Sequence, residues 1–274
     1  MTALQGGTPA SPLPQAEAAL PPGWRLLCRD EVDGTNATLV RWAEGRGAPF
    51  DGAPAEGVVL VADQQTAGRG RQGRDWHSPP GNLYVSVLLD GAAGPARLAE
   101  VGFVAGVALA EAVAALMPAA APALKWPNDL LLDGRKVAGL LLETALGTDG
   151  GPWLVLGLGV NLAWAPPRGP EMAFPPGRLA DAGPAPGRDA LLAALVPRLA
   201  VWLAVWRHQG FAPIRAAWLE RAHGLGGPIE ARLGTGKRHG VFADIDPDGA
   251  LVLDTETGRE RLLAADIHFP DRDP

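Results

Sequence analysis

The order of the predicted strands and helices is the feature that most restricts how this chain can fold. Apolar alternation and Gly/Pro/Asn/Asp punctuation predict strands at Trp24–Val32, Gly57–Asp63, Leu83–Asp90, Ala123–Trp126, Leu130–Leu132, Lys136–Glu143 and Trp153–Asn161. Helical periodicity predicts helices at Thr35–Glu44, Ala96–Leu116, Arg188–Arg207 and Ala212–Ala222. Because the strands outnumber the helices and do not alternate with them, the pattern favours an α+β domain with a mixed β-sheet and flanking helices over a doubly wound nucleotide-binding fold.

The C-terminal part of the chain has a different pattern. From Pro228 onward the sequence predicts short strands at Ile229–Leu233, Arg238–Ile245, Ala250–Asp254 and Glu260–Leu263. A segment this short cannot build much hydrophobic core alone. We therefore expect a small β-barrel that packs against the main domain. Residues 163–187 are dense in Pro and Gly and predict a long irregular surface loop. The expected parts are a disordered tail at 1–22, a main domain at 23–223 and a small barrel at 228–270.

Composition and charge exclude several classes of protein. The net charge is −6 with a pI near 5.4, so the bulk charge does not attract the chain to nucleic acid or to acidic membranes. Cys28 is the single cysteine, which excludes a disulfide scaffold and fits a reducing compartment. Residues 1–22 contain no cation and no apolar core, so they do not resemble a signal peptide. The apolar run at 101–124 is interrupted by Glu111 and Pro118, which is typical of a core helix and not of a membrane span.

The segment from Gly68 to Trp76, with the sequence Gly-Arg-Gly-Arg-Gln-Gly-Arg-Asp-Trp, is the most unusual in the chain. Its glycines release the backbone, while Arg69, Arg71 and Arg74 carry guanidinium groups that pair with carboxylate or phosphate oxygens. Such a loop can close over a multiply charged anion. The residues alone equally fit a solvated Arg/Gly loop or an RNA-binding segment, and the segment is not a P-loop because GxxxxGK[ST] is absent.

The second unusual segment is Lys-Trp-Pro-Asn-Asp at 125–129. Pro127 favours an extended Trp126, so Lys125 is expected at the end of a strand, with Asn128 and Asp129 in the turn. The lysine is a compact charge that can neutralise phosphate or carboxylate. Asn128 and Asp129 could orient ribose, a lysine or a hydrated magnesium ion, or they could simply bond their own turn.

Lysine is rare in this chain, which makes each lysine informative. Of the 24 basic Lys and Arg residues, only Lys125, Lys136 and Lys237 are lysines. Asp133-Gly134 supplies the left-handed conformations of a tight hairpin turn. This hairpin is expected to bring Lys136 close to Lys125.

Together these segments resemble the biotin protein ligase family, whose members activate biotin with ATP and attach it to a carrier protein. The family's motifs are matched by the residues at 68–74, 125–129, 135–143 and 157–162, and the resemblance covers roughly Asp30 to the C-terminus. Lipoate ligases share the fold but are not expected to carry this loop and this Lys-Trp-Pro-Asn-Asp segment together. The resemblance implies a catalytic domain like those of class II aminoacyl-tRNA synthetases and biotin–lipoate ligases, followed by an SH3-like barrel. It also implies formation of biotinyl-5′-AMP and pyrophosphate, and then transfer of biotin to a lysine.

The resemblance also implies roles for individual residues. Lys125 and Arg71 are the implied catalytic residues. The implied biotin-binding residues are Gly34, Thr35, Asn36, Gln65, Arg69, Gly70, Arg71, Lys125 and Gly139. The implied ATP or adenylate ligands are Arg71, Arg74, Trp76, Asn128, Lys136 and Asn161. Trp76 is expected to cap the adenine, Gly139 to admit the biotin ring, and Gly34 stands where the family has a serine hydroxyl.

The implied substrates are ATP and biotin, with Mg²⁺ accompanying ATP and Asn128 or Asp129 as candidate ligands of the metal. The implied partner is the biotin carboxyl carrier protein of acetyl-CoA carboxylase or a related carboxylase, in the cytoplasm, with no membrane and no nucleic acid. A homodimer is left open. Some relatives add a DNA-binding domain and act as repressors, but the residues before Trp24 are too few and too Pro-rich to form one. An RNA-binding module is the third alternative, and the acidic net charge weighs against it.

Overall fold

The computed structural model describes residues 12–47, 52–169, 172, 174–234 and 236–269. The main sheet contains β1 (Arg25–Val32), β2 (Val58–Gln65), β3 (Leu83–Asp90), β4 (Ala123–Lys125), β5 (Asp129–Leu132), β6 (Arg135–Leu146) and β7 (Pro152–Val160). Their spatial order is β1-β2-β3-β7-β6-β5-β4. Strands β1 and β2 are parallel and the other neighbours are antiparallel, so the predicted mixed sheet is confirmed.

Helices cover both faces of this sheet. They are α1 (Pro14–Ala18), α2 (Thr35–Ala43), α3 (Pro95–Leu98), α4 (Glu100–Leu116), α5 (Arg188–Gln209) and α6 (Ala212–Leu219). Most residues of α4 are fully buried, because it lies within the larger core between the sheet and α5. On the opposite face, Leu39 and Trp42 of α2 pack against Leu60, Leu88 and Val155. The N-terminus of α2 thereby lies over the middle strands of the sheet.

A second, five-stranded antiparallel sheet follows the main domain. Its strands are β8 (Pro228–Leu233), β9 (Gly236–Ile245), β10 (Leu251–Thr255), β11 (Gly258–Leu262) and β12 (Asp266–His268), in the order β11-β10-β9-β8-β12. Its apolar residues join the main core, and Trp126 Nε1 donates to the Gly249 carbonyl at 3.1 Å. The small β-domain is therefore present, while closure into an SH3-like barrel stays a prediction.

Three predictions about the course of the chain need correction. Residues 12–22 are not disordered throughout, because α1 is helical and the Asp189 carboxylate accepts hydrogen bonds from Gln15 N (3.1 Å) and Ala16 N (2.8 Å). The rest of the predicted tail lies outside the described residues. The helix predicted at 96–116 is divided at Ala99 into α3 and α4. The loop at 163–187 is not confined to the surface, because Phe174 and Leu179 are buried.

Helix α5 is, within the described part of the chain, the one helix that is long and apolar enough to cross a membrane. Its residues Leu191, Leu195 and Leu199 lie in the core of the main domain. At its start, Arg188 pairs with Asp63 of β2. These contacts are those of a core helix.

Candidate active site

A cavity of about 380 Å³ lies over the middle of the main sheet, on the face that carries α2. Its walls come from the α2 N-terminus, the glycine–arginine loop, strands β4 to β7, the side of the irregular segment that carries Met172, Phe174 and Pro176, and the start of β12. Every site residue predicted from the sequence lines it: Gly34, Thr35, Asn36, Gln65, Arg69, Gly70, Arg71, Arg74, Trp76, Lys125, Asn128, Asp129, Lys136, Gly139 and Asn161. The structure therefore brings together residues that are widely separated in the sequence.

The glycine–arginine loop at 68–76 is a folded turn. The Gly70 N–H donates to the Arg74 carbonyl at 2.7 Å and the Trp76 N–H donates to the Gly68 carbonyl at 2.9 Å. Arg69 pairs with Asp75 at 2.6 Å across its base. Arg71 instead turns inward and donates to Asn128 Oδ1 at 3.2 Å. Burial lowers the pKa of Arg71 and the nearby Asp129 opposes that shift, so its charge is held in a partly desolvated place.

The indole of Trp76 packs against the sheet where two glycines are paired. Gly139 of β6 lies opposite Gly159 of β7. A Cβ added at Gly139 would lie 3.1 Å from Trp76 Cζ3, and one at Gly159 would lie 2.5 Å from Trp76 Nε1. Both glycines therefore make room for the indole, and the predicted approach of a biotin ring to Gly139 stays a prediction. The indole nitrogen is buried and has no hydrogen-bond partner among the described residues.

The two lysines of the cavity share one carboxylate. Lys125 ends β4, and Asp129, its partner across the turn, begins β5. Asp129 Oδ2 lies 3.3 Å from Lys125 Nζ, and Asp129 Oδ1 lies 2.6 Å from Lys136 Nζ. The Asp133-Gly134 turn has φ values of 49° and 72° and returns β6 so that Lys136 reaches the same site, as the hairpin predicted.

The ammonium groups differ in exposure. The side chain of Lys125 is 6% exposed, and its Nζ lies 5.0 Å from the centre of the Phe174 ring, whereas the side chain of Lys136 is 31% exposed. Burial lowers the pKa of Lys125, with Asp129 opposing the shift. Burial would raise the pKa of Asp129, but the charges of Lys136 and Lys125 outweigh it and lower the pKa. Lys136 is thus the more accessible of the two ammonium groups.

The other end of the cavity is polar, and apart from the Glu143 carboxylate its side chains are neutral, so we call it the neutral end. Gln65 Oε1 accepts a hydrogen bond from Thr35 N at 2.8 Å and lies 3.2 Å from Thr35 Oγ1. Asn36 Nδ2 donates to Glu143 Oε2 at 2.8 Å. Alternation along β6 places Gly139, Leu141 and Glu143 on the same face of the sheet. This end suits an uncharged ring that carries hydrogen-bonding groups.

Three predicted ligands of the nucleotide already have protein partners. Asn128 Nδ2 donates to the Leu140 carbonyl at 2.6 Å, while its oxygen receives Arg71. Asn161 Nδ2 donates to the Gly177 carbonyl at 3.0 Å, which holds the irregular segment in place. Arg74 pairs with Asp266. The nucleotide roles of these residues stay predictions, and the structure adds a positioning role to each.

Several residues at the site were missed by the sequence analysis. Glu143 and Phe174 line the cavity, as does Asp266, which comes from the unpredicted strand β12. Ser86 lies behind the wall, fully buried, 2.7 Å from Thr35 Oγ1 and 2.6 Å from Asn36 Oδ1. A serine among the apolar residues of this predicted strand is a signal that could have indicated it, because a buried polar group needs a partner.

The arrangement joins a neutral polar end to a cationic end within one cavity. Arg71, Lys125 and Lys136 outnumber the single carboxylate of Asp129 between them. Such a site can bind a molecule with an uncharged ring and an anionic tail beside a second anion. Bringing two anions together is the physical task that this site is able to perform.

Comparison with known proteins gives the class and then the family. Residues 48–161 match the Biotin/lipoate A/B protein ligase family and residues 224–269 match the Biotin protein ligase C terminal domain, so the class is that of biotin and lipoate protein ligases. The chain is 42% identical to a biotin--[acetyl-CoA-carboxylase] ligase of Paracoccus denitrificans over 242 residues, which are 87% of this chain and 98% of that protein. It is 35% identical to the corresponding ligase of Mycobacterium tuberculosis, over 89% of this chain and 88% of that one.

Among solved structures, the biotin protein ligase of Aquifex aeolicus in complex with biotin and ATP superposes with a TM-score of 0.75. The two are 27% identical, and the match covers 89% of this chain and 97% of that one. The chain belongs to the biotin protein ligase family.

Proposed function

We propose that this chain is a biotin--protein ligase that activates biotin with ATP to biotinyl-5′-AMP and pyrophosphate, and then transfers biotin to a lysine of a carrier protein. One observation supports this most directly: a single cavity joins the neutral end at Thr35 and Gln65 to the cations Arg71, Lys125 and Lys136. Biotin has the same two ends, a neutral ureido ring and a carboxylate.

In the first step, the biotin carboxylate attacks the α-phosphorus of ATP and pyrophosphate leaves. Arg71 and Lys136 offset the repulsion between the two anions, and the buried Lys125 holds the oxygen on which charge develops. Arg74 and Arg69 lie on the exposed part of the loop, where they meet the outer phosphates after releasing Asp266 and Asp75. Trp76 contributes a flat apolar face beside the nucleotide.

In the second step, a lysine amine of the carrier attacks the acyl carbon and AMP leaves. The same cations hold the departing phosphate, because the bond that breaks is the one beside it. The folded loop, together with Met172, Phe174 and Pro176, covers the mixed anhydride and keeps water from it. The carrier we propose is the biotin carboxyl carrier protein of acetyl-CoA carboxylase or a related enzyme, in the cytoplasm, where a lone cysteine such as Cys28 stays reduced.

The predicted Mg²⁺ ligands do not fit a resident metal site. Both oxygens of Asp129 face lysine ammonium groups, and Asn128 Oδ1 accepts from Arg71. The described residues also contain no cluster of three or more His, Cys, Asp or Glu that could hold a metal ion. We propose that Mg²⁺ arrives with ATP, bound to its phosphates, which is how this ion usually binds in nucleotide sites.

Pyrophosphate release with ATP, Mg²⁺ and biotin tests the proposal, with lipoate and octanoate as competing acids. Of the three acids, we expect only biotin to cause pyrophosphate release. We also expect biotin to be attached to a purified carrier domain but not to its Lys→Arg variant. Release with lipoate or octanoate at a similar rate would instead assign the chain to lipoyl or octanoyl transfer.

A further inference from the structure

A chain of hydrogen bonds runs along the neutral end of the cavity, from Glu143 through Asn36 and the buried Ser86 behind the wall to Thr35. Each link is 2.6 to 2.8 Å long. Ser86 is on β3 opposite Gly157 of β7, and neither a ligand nor solvent reaches it. We call these four side chains the polar relay. The direction in which its hydrogens point decides what the cavity offers to a ligand.

The first link fixes the amide of Asn36. Its Nδ2 faces Glu143 Oε2 at 2.8 Å and the Leu141 carbonyl at 3.4 Å, and a carboxylate and a carbonyl only accept hydrogen bonds. Asn36 Oδ1 must therefore face Ser86. Gly157 leaves the room this needs, because a Cβ there would lie 2.2 Å from Asn36 Oδ1.

The amide of Gln65 is fixed in the same way from the other side. Its Oε1 faces Thr35 N–H at 2.8 Å, which can only donate. Its Nε2 faces Ser78 Oγ at 2.8 Å, and Ser78 lies 2.8 Å from the Trp76 carbonyl, which takes the Ser78 hydrogen. The oxygen of Gln65 is thus held toward Thr35.

The two hydroxyls between these amides have one hydrogen each. Ser86 gives its hydrogen to Asn36 Oδ1, which can only accept, so Ser86 Oγ can only accept from Thr35. Thr35 Oγ1 lies 2.7 Å from Ser86 Oγ and 3.2 Å from Gln65 Oε1. Because the Ser86 hydrogen is already used, the hydrogen between the two hydroxyls must come from Thr35, and Gln65 does not receive it. This leaves two oxygens, Thr35 Oγ1 and Gln65 Oε1, side by side in the cavity wall with no hydrogen between them.

We propose that Ser86 and Glu143 are specificity-determining positioning residues, which set the relay so that Thr35 and Gln65 accept N–H groups of the ligand ring. The inference rests on the proposed function, since the ureido ring of biotin supplies such N–H groups and the dithiolane ring of lipoate has none. A ligand without N–H leaves the remaining lone pairs of these two oxygens facing each other without a donor, which is unfavourable. Discrimination between biotin and lipoate thus depends in part on Ser86, which lies behind the cavity wall and does not contact the ligand.

The variant Glu143→Gln tests the direction of the relay with a change of one atom at an exposed side chain. A glutamine amide at this position can donate to Asn36 as well as accept from it, so the Asn36 amide is no longer held in one orientation and can turn over. Ser86 then donates to Thr35, and Thr35 donates to Gln65 Oε1. The hydrogen between the last two oxygens removes the free acceptor pair without emptying the cavity.

The experiment is calorimetric binding, without ATP, of biotin and of an analogue whose ring N–H groups are replaced by CH₂. We expect Glu143→Gln to weaken biotin about 10-fold and to leave the affinity of the analogue unchanged. The remote and exposed Glu256→Gln, the same chemical change, should alter neither affinity. Ser86→Ala should show the same selective loss, since Thr35 must then turn its hydrogen to Gln65.

Equal weakening of both ligands, or an unchanged affinity for biotin in Glu143→Gln, would overturn the relay while the proposed function stands. A wild-type protein that binds neither ligand would overturn both. If Ser86→Ala does not fold, which its melting curve shows, Glu143→Gln decides the question alone.

Discussion

Gly34→Ser is expected to tighten the binding of biotin, and the structure gives the reason and the size. Gly34 has φ −168°, an extended conformation open to any residue, so serine causes no backbone strain. A Cβ there would lie 3.6 Å from Ala37 Cβ, 3.8 Å from the Ala67 carbonyl oxygen and 3.9 Å from Gln65 Oε1. These are ordinary van der Waals distances, so the side chain fits without movement of its neighbours.

The added hydroxyl has two uses. Gly34 is the N-cap of α2 and has no side-chain cap, so the serine oxygen can accept from a free N–H of the first turn. Replacing glycine by a capping serine at such a position adds a few tenths of a kcal/mol, about 1 °C in melting temperature for a chain of this size. Its hydrogen faces the neutral end of the cavity, where one hydrogen bond to the ring carbonyl is worth about 0.5–1.5 kcal/mol. That corresponds to about 2- to 13-fold in the dissociation constant.

Calorimetry with biotin should compare wild type, Gly34→Ser and Gly34→Ala. The alanine variant adds the Cβ without the hydroxyl and therefore isolates the steric part. A higher affinity for biotin in Gly34→Ser, but not in Gly34→Ala, supports the reasoning. Equal affinities in the two variants would refute it, because the hydroxyl would then not face the ring.

Three further outcomes follow from the site and from the C-terminal sheet. Arg71→Ala should slow adenylate formation about 100-fold and lower the melting temperature by only about 2–4 °C, because it loses one hydrogen bond, and a larger melting shift with intact activity would contradict this. Lys136→Ala should raise the KM for the substrates more than Lys125→Ala does, because the Lys136 ammonium is the more exposed. Lys125→Ala should instead reduce kcat in both half-reactions. The two half-reactions are measured separately, by pyrophosphate release and by transfer of biotin from added adenylate. Hydrogen bonding from Arg232 lowers the pKa of Glu230 to about 2, so its contribution to stability is present above pH 4.5 and is lost as the pH falls toward 2. The free energy of unfolding, measured by urea titration between pH 6 and pH 3, should therefore fall less steeply in Glu230→Gln than in the wild type.

Local signals in the sequence were sufficient for the elements that carry the site. The Asp133-Gly134 turn predicted the hairpin that brings Lys136 to Lys125, and the structure places both on Asp129. Pattern and punctuation predicted β3 to the residue. These features depend on neighbours a few positions apart, and such neighbours are visible in a sequence.

Features that depend on distant partners could not be predicted in this way. The helix at 14–18 is capped by Asp189, which lies more than 170 positions along the chain. Strand β12 has three residues, and its pairing with β8 carries Asp266 to the cavity. Gly139 and Gly159 were visible as glycines, but only the fold shows that the group approaching them is Trp76. In each case the missing information was a contact across the molecule.

The acidic net charge and the cationic cavity are consistent with each other because burial decides which charges act. Most ion pairs of this chain lie at the surface, where water and salt screen them. Lys125 and Arg71 are instead partly removed from water, and burial lowers the pKa of both. Asp129 and Glu143 together do not balance Lys125, Lys136 and Arg71, so the site carries local positive charge at a cost in desolvation. An incoming carboxylate and phosphate supply the missing negative charge, and for that reason the binding of two anions is favourable here in a protein whose overall charge opposes it.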